Sequence, residues 1–90
     1  MTEDIETRRK RLRFRSWHRG TKELDLLLGG FADRELGTMD TPELDLYEAL
    51  LEVPEPVLYA WLSRQGTPPP EYDHEVMRRL IAFTLAPRRA

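Results

Sequence analysis

The chain has no cysteine, which excludes a disulfide framework and any thiolate metal site. No apolar run approaches the roughly 20 residues needed to span a bilayer, so membrane insertion is not expected. The amino-terminal stretch is charged from Glu3 onward, unlike a secretory signal, and a soluble, intracellular protein is expected. Alternating apolar and polar residues bounded by hairpin turns are missing, so strands are not expected. His18 and His74 each stand alone in their segments, and no HxxxH or HExxH spacing marks a metal site. Ser16 and Ser63 lack a nucleophile elbow, and there is no glycine-rich phosphate loop. A bundle of this size also has little room for a closed pocket of several hundred Å³. Self-contained catalysis is therefore not expected.

What is present is charge, leucine and helical spacing. Ninety residues make one small domain, burying only about 60 to 65% of the surface of the unfolded chain. The net charge of −2 hides an asymmetry. Arg8, Arg9, Lys10, Arg11, Arg13, Arg15, Arg19 and Lys22 fall in one segment without an acidic residue, and most of the remaining charge is acidic. Such a split suits either an anionic partner or a solvated, highly charged helix.

The spacing predicts an all-α fold, a compact bundle of five short helices forming a single domain over residues 1–90. Its ordered core is expected at about 4–85, with a frayed tail at 86–90. A first helix over 4–18 carries sparse apolar residues, Ile5, Leu12, Phe14 and Trp17, and Gly20 disfavours its continuation. A second, over 21–35, has Leu24, Leu27, Leu28 and Phe31 at i, i+3, i+4 and i+7. Gly29 and Gly30 within it either loosen the helix or permit close packing, and Gly37 is the expected stop. A third helix opens at Thr41-Pro42 with Thr41 as cap. A fourth runs from Pro56 towards Gly66, and a fifth over 72–85. Phe31, Tyr47, Leu51 and Trp61 are the expected core.

One stretch, Trp-His-Arg-Gly-Thr-Lys-Glu-Leu-Asp at 17–25, carries more than a helix break. Gly20 admits positive φ and lets another backbone approach. Arg19 and Glu23 are four residues apart and can project from the same corner. Taken alone, that pattern also fits a plain helix boundary with two solvated charges.

The longer pattern resembles the succinate dehydrogenase assembly factors, the SdhE-type flavinylation family. Arg-Gly-x-x-Glu-Leu-Asp follows a basic helix containing an aromatic. "LYEALLEVPEPVLYAWLSRQGTPP" is similar to the family's second signature, and "MRRLIAF" to its closing helix. The similarity spans about residues 8–83. It implies a non-enzymatic chaperone that binds the flavoprotein subunit of succinate dehydrogenase, or of the related fumarate reductase, and promotes covalent attachment of FAD to a histidine of that subunit. FAD would belong to the partner, with no cofactor bound stably here. The carried-over docking residues are Arg19, Gly20 and Glu23, with support from His18, Arg15 and Asp25. Position 18 is histidine where the family often has another basic residue. The implied protein is a monomer in the bacterial cytoplasm or, in a eukaryote, the mitochondrial matrix, without nucleic acid as partner. Two alternatives stay open: a nucleic-acid or anionic-surface module using the basic first helix, and an antitoxin-like regulatory protein.

Overall fold

The computed structural model describes residues 3–85. Among them are five α-helices, two short 3-10 turns and no strand. Helix α1 spans Ile5–Trp17 and is capped by Asp4, whose carboxylate accepts from the Thr7 amide. Helix α2 spans Lys22–Glu35 behind a Thr21 cap. A 3-10 turn over Leu36–Thr38 leads to α3, Thr41–Leu51. Then come α4, Glu55–Leu62, a 3-10 turn at Pro70–Tyr72, and α5, Glu75–Leu85.

Several local expectations need correction. The cap of α3 is Asp40, not Thr41: Asp40 accepts from the Glu43 amide and Glu43 accepts from the Asp40 amide, both at 3.0 Å. This reciprocal capping box satisfies two orphan donors at once, which a lone threonine does not. Gly37 is not the stop of α2. It lies within the 3-10 turn with ordinary backbone angles. Helix α4 ends at Leu62, short of Gly66, because Arg64 takes the left-handed turn with φ 62°. The predicted fifth helix splits: Pro70–Tyr72 form the 3-10 turn, and α5 proper begins at Glu75. The His74 Nδ1 accepts from the Met77 amide at 3.1 Å, an N-terminal cap made by a histidine. The expected tail at 86–90 lies outside the described residues.

Helices α1 and α2 pack antiparallel. Trp17 meets Gly29, Arg13 approaches Asp33, and the Arg9 Nε donates to the Leu36 carbonyl, so contacts ascend one helix as they descend the other. Gly29 settles the double-glycine question in favour of close packing. A Cβ added there would fall inside the Trp17 indole, and one at Gly30 would reach Phe83 Cζ at 3.2 Å. Helix α3 lies along the other side of α1, where the Tyr47 hydroxyl and Ser16 Oγ share a buried hydrogen bond of 2.6 Å. Burial pushes the Tyr47 hydroxyl far above its ordinary pKa, so it stays protonated.

The core comprises Leu12, Leu28, Phe31, Tyr47, Leu50, Leu58, Met77 and Leu80 with their neighbours. Phe31, Tyr47 and Leu51 are buried as expected, but Trp61 is only partly so, its ring lying against Tyr72 at 5.3 Å between centroids. Its position on the α4 stripe puts it at the core's edge.

Candidate partner-docking site

The basic segment is not a free cationic strip. Arg8 pairs with Asp45 at 2.6 Å and Glu48 at 2.8 Å, Arg11 with Glu3 and Glu48, and Arg15 with Glu52 at 2.7 Å. The acidic face of α3 therefore neutralises one face of α1, and the charge asymmetry of the sequence closes on itself. Arg11 first and then Arg8 hold the Glu48 carboxyl below the usual carboxylate range, and the Arg15 guanidinium lies 3.8 Å from it. Arg9 turns inward as well, donating to the Leu36 and Met39 carbonyls.

The corner between α1 and α2 is built from the sequence-predicted residues, in unequal roles. Gly20 has φ +116°, a conformation L side chains avoid. A Cβ there would also come within 3.2 Å of a Glu55 carboxylate oxygen. Asp25, on the first turn of α2, accepts from the backbone amide of Arg19 at 2.6 Å and of Gly20 at 3.3 Å. It clamps the turn.

Arg19 points into the protein. Its guanidinium donates to the Leu51 carbonyl at 2.5 Å and the Val53 carbonyl at 3.2 Å. Those carbonyls lie at and just beyond the end of α3, where helix carbonyls lose their intrahelical partners and a cation meets the negative end of the dipole. Arg15 likewise belongs to the α1–α3 ion network. His18 is exposed, stacked on Phe14 at 4.0 Å between centroids, with Nδ1 2.7 Å from the Phe14 carbonyl oxygen.

Glu23 is the member of the set that faces solvent with a charged side chain. It accepts a 2.8 Å hydrogen bond from the Tyr59 hydroxyl of α4, and that bond raises the Tyr59 pKa above its ordinary value, keeping the phenol neutral. Glu23 and Tyr59 both line each of two open grooves. One, of about 520 Å³, includes Leu26, Arg64 and Leu85 in its lining. The other, of about 260 Å³, includes Thr21, Glu55 and Pro56. Tyr59, Glu55 and Leu26 were not singled out from the sequence. Tyr59 left a faint signal, an aromatic one residue off the Leu58, Trp61, Leu62 stripe. Among the described residues no group of three His, Asp or Glu side chains could hold a metal ion, and no helix is long and apolar enough to cross a membrane.

The chain is of the class of small helical bundles, and of the sequence-predicted residues Gly20, Glu23 and Asp25 meet at the corner beside the two open grooves. Comparison with known proteins makes the class specific: the chain belongs to the family described as the flavinator of succinate dehydrogenase, whose sequence model matches residues 10–84. It is 40% identical over 79 residues to the FAD assembly factor SdhE of Acetobacter pasteurianus, covering 88% of this chain and 72% of that protein. It is 36% identical to the mitochondrial succinate dehydrogenase assembly factor 2 of Dictyostelium discoideum, over 83% of this chain and 53% of that protein. Against the factor of the same name from Candida glabrata it is 38% identical, over 93% of this chain and 58% of that protein. The chain thus spans little more than half the length of these mitochondrial relatives. The names of these relatives are those of assembly factors.

Proposed function

We infer that this chain is an assembly factor that binds the flavoprotein subunit of succinate dehydrogenase and promotes covalent attachment of FAD to it. The observation that carries the docking site is the Gly20–Glu23 corner: a residue without a side chain, fixed by the Asp25 clamp, beside an exposed carboxylate oriented by Tyr59. Gly20 permits close approach of a partner backbone, and Glu23 offers a preoriented acceptor.

Arg19 enters as the residue that builds this corner. Its guanidinium is already committed to the α3 carbonyls, so its contribution to docking is positional. Asp25 acts in the same way, while His18 and Phe14 extend the exposed face.

The chemistry stays with the partner. Covalent flavin attachment needs an acceptor side chain and the flavin held in reactive geometry, and orientation of that kind contributes several kcal/mol. A bundle that binds one conformation of the flavoprotein better than others shifts its population towards that state. FAD belongs to the partner in this reading, and the chain itself performs no catalysis. Fumarate reductase flavoprotein is a second partner of the same chemistry. The working form is a monomer, acting in the bacterial cytoplasm or the mitochondrial matrix.

The nucleic-acid alternative is disfavoured by the pairing of Arg8, Arg11 and Arg15 with α3. Phosphates would have to compete with carboxylates already in place. Affinity capture of the flavoprotein subunit on the immobilised chain tests the docking site. Capture by the wild type and its loss in Glu23→Ala is expected, and undiminished capture by Glu23→Ala contradicts the site.

A further inference from the structure

The larger groove has features that the docking corner does not use. It runs from Glu23 past α4 to the end of α5. Leu26 and Leu85, which help to line it, are 52% and 56% exposed, an apolar surface without a partner among the described residues. Arg64 stands on its lining as well. Among the described residues it is the only non-glycine with positive φ, at 62°. The turn that follows α4 is closed by the Gln65 and Gly66 amides, which both donate to the Ala60 carbonyl. Turns of this kind favour glycine, or asparagine, at the left-handed position. A residue with a Cβ is strained there, because the Cβ crowds the following carbonyl oxygen.

The Arg64 guanidinium forms no hydrogen bond or ion pair among the described residues. A strained backbone that carries an uncommitted cation points to a use for that cation. The groove is thus bipolar. Glu23 supplies a carboxylate, Arg64 a guanidinium, and leucines supply apolar surface.

We propose that this groove seats an extended segment of the flavoprotein partner, with apolar side chains on Leu26 and Leu85, a basic or amide donor facing Glu23 and a carboxylate or carbonyl facing Arg64. The inference rests on the docking reading above, because Glu23 belongs to both surfaces and makes them continuous. The pairing of opposite charges fixes the direction in which the segment lies, since reversal would set like charges together. An apolar anchor flanked by polar contacts is the usual anatomy of a binding patch.

The absence of native cysteine makes the test clean. Full-length chains carrying Leu26→Cys, Arg64→Cys or, as a control on exposed α3 surface, Ala49→Cys are labelled with a photo-crosslinker and irradiated with the FAD-loaded flavoprotein subunit. The proposal expects flavoprotein adducts from positions 26 and 64 and few from 49. Adducts to a second copy of this chain, or to its own residues 86–90, overturn it. Binding is measured in parallel. Leu26→Glu should weaken affinity for the flavoprotein about tenfold, equivalent to ~1.4 kcal/mol. Arg64→Gly should weaken affinity several-fold while raising the melting temperature through relief of the turn, a divergence that a purely structural role does not give. Wild-type affinity in both variants, alongside loss of binding in Gly20→Arg, overturns the groove and leaves the corner standing. A wild-type chain that fails to bind the flavoprotein overturns both.

Discussion

The Arg19 guanidinium donates to the Leu51 carbonyl across 2.5 Å, tying the turn after α1 to the end of α3. A residue expected to reach outward to a partner is thus spent on the protein's own backbone. Removing it strands the Leu51 and Val53 carbonyls, and a hydrogen bond to a charged group contributes about 1.5 to 3 kcal/mol. Arg19→Ala should therefore lower the melting temperature by on the order of 10 °C for a domain of this size. Glu23→Ala, at an exposed position, should leave it within a few degrees. Calorimetry on the two variants separates the builder of the corner from its proposed docking surface; equal melting temperatures would remove the distinction.

Glycine substitutions should diverge by position. Gly29→Ala gains about 1 kcal/mol of helix propensity, but its methyl would occupy the space of the Trp17 indole. Displacing that ring should leave a net loss of about 1 to 3 kcal/mol. Gly37 has open space around its would-be Cβ and no positive φ, so Gly37→Ala should be neutral or slightly stabilising. Urea denaturation of both variants checks the contrast.

Acid should loosen the start of α5. Burial, followed by the nearby Arg78 charge, lowers the His74 pKa below its ordinary value of 6.5. The neutral ring is the form that accepts from the Met77 amide. A base whose folded pKa is depressed takes up its proton more readily when unfolded. Its stabilising contribution is thus fully present above about pH 6.5 and fades as pH falls from there through the folded value. His74→Asn keeps an N-cap acceptor and should flatten melting temperature against pH in that window. An unchanged slope would show that the cap is not the titrating element.

Glu48 should behave as the hub of the α1–α3 interface. It accepts hydrogen bonds from Arg8 and Arg11 and lies 3.8 Å from Arg15. Glu48→Gln should cost about 1 kcal/mol, less in high salt. The same substitution frees positive charge on α1, so its residual, salt-sensitive affinity for bare DNA should exceed that of the wild type. Titration of labelled duplex DNA at two salt concentrations measures this; strong wild-type binding that survives Glu23→Ala would favour the nucleic-acid reading.

Much of the architecture was legible because leucine spacing and helix punctuation are local signals. The five helices, the α2 stripe and the break at Gly20 all follow from residues within a turn or two of one another. Asp40-Thr-Pro-Glu43 shows where this reading slipped: the capping box was written in the sequence, but the threonine beside the proline drew the assignment. The site was harder to read because its logic is long-range. Arg19 meets carbonyls 32 and 34 positions away, and Tyr59 meets Glu23 across 36. No periodicity encodes those partners. The role of the basic segment stayed open in the sequence for the same reason, since its countercharges sit about 37 to 40 positions downstream. The resemblance to the family located the corner, and packing then divided the labour within it.

The most direct test of the central claim is covalent flavin on the flavoprotein subunit, read as in-gel fluorescence under denaturing conditions after co-expression with this chain. The account predicts strong flavin fluorescence on the subunit with the wild type. It predicts a severe loss with Gly20→Arg and with Glu23→Ala, the latter in a variant that remains folded. Equal fluorescence when the chain is omitted would contradict the assembly function, and full fluorescence with Glu23→Ala would contradict the corner as its docking surface.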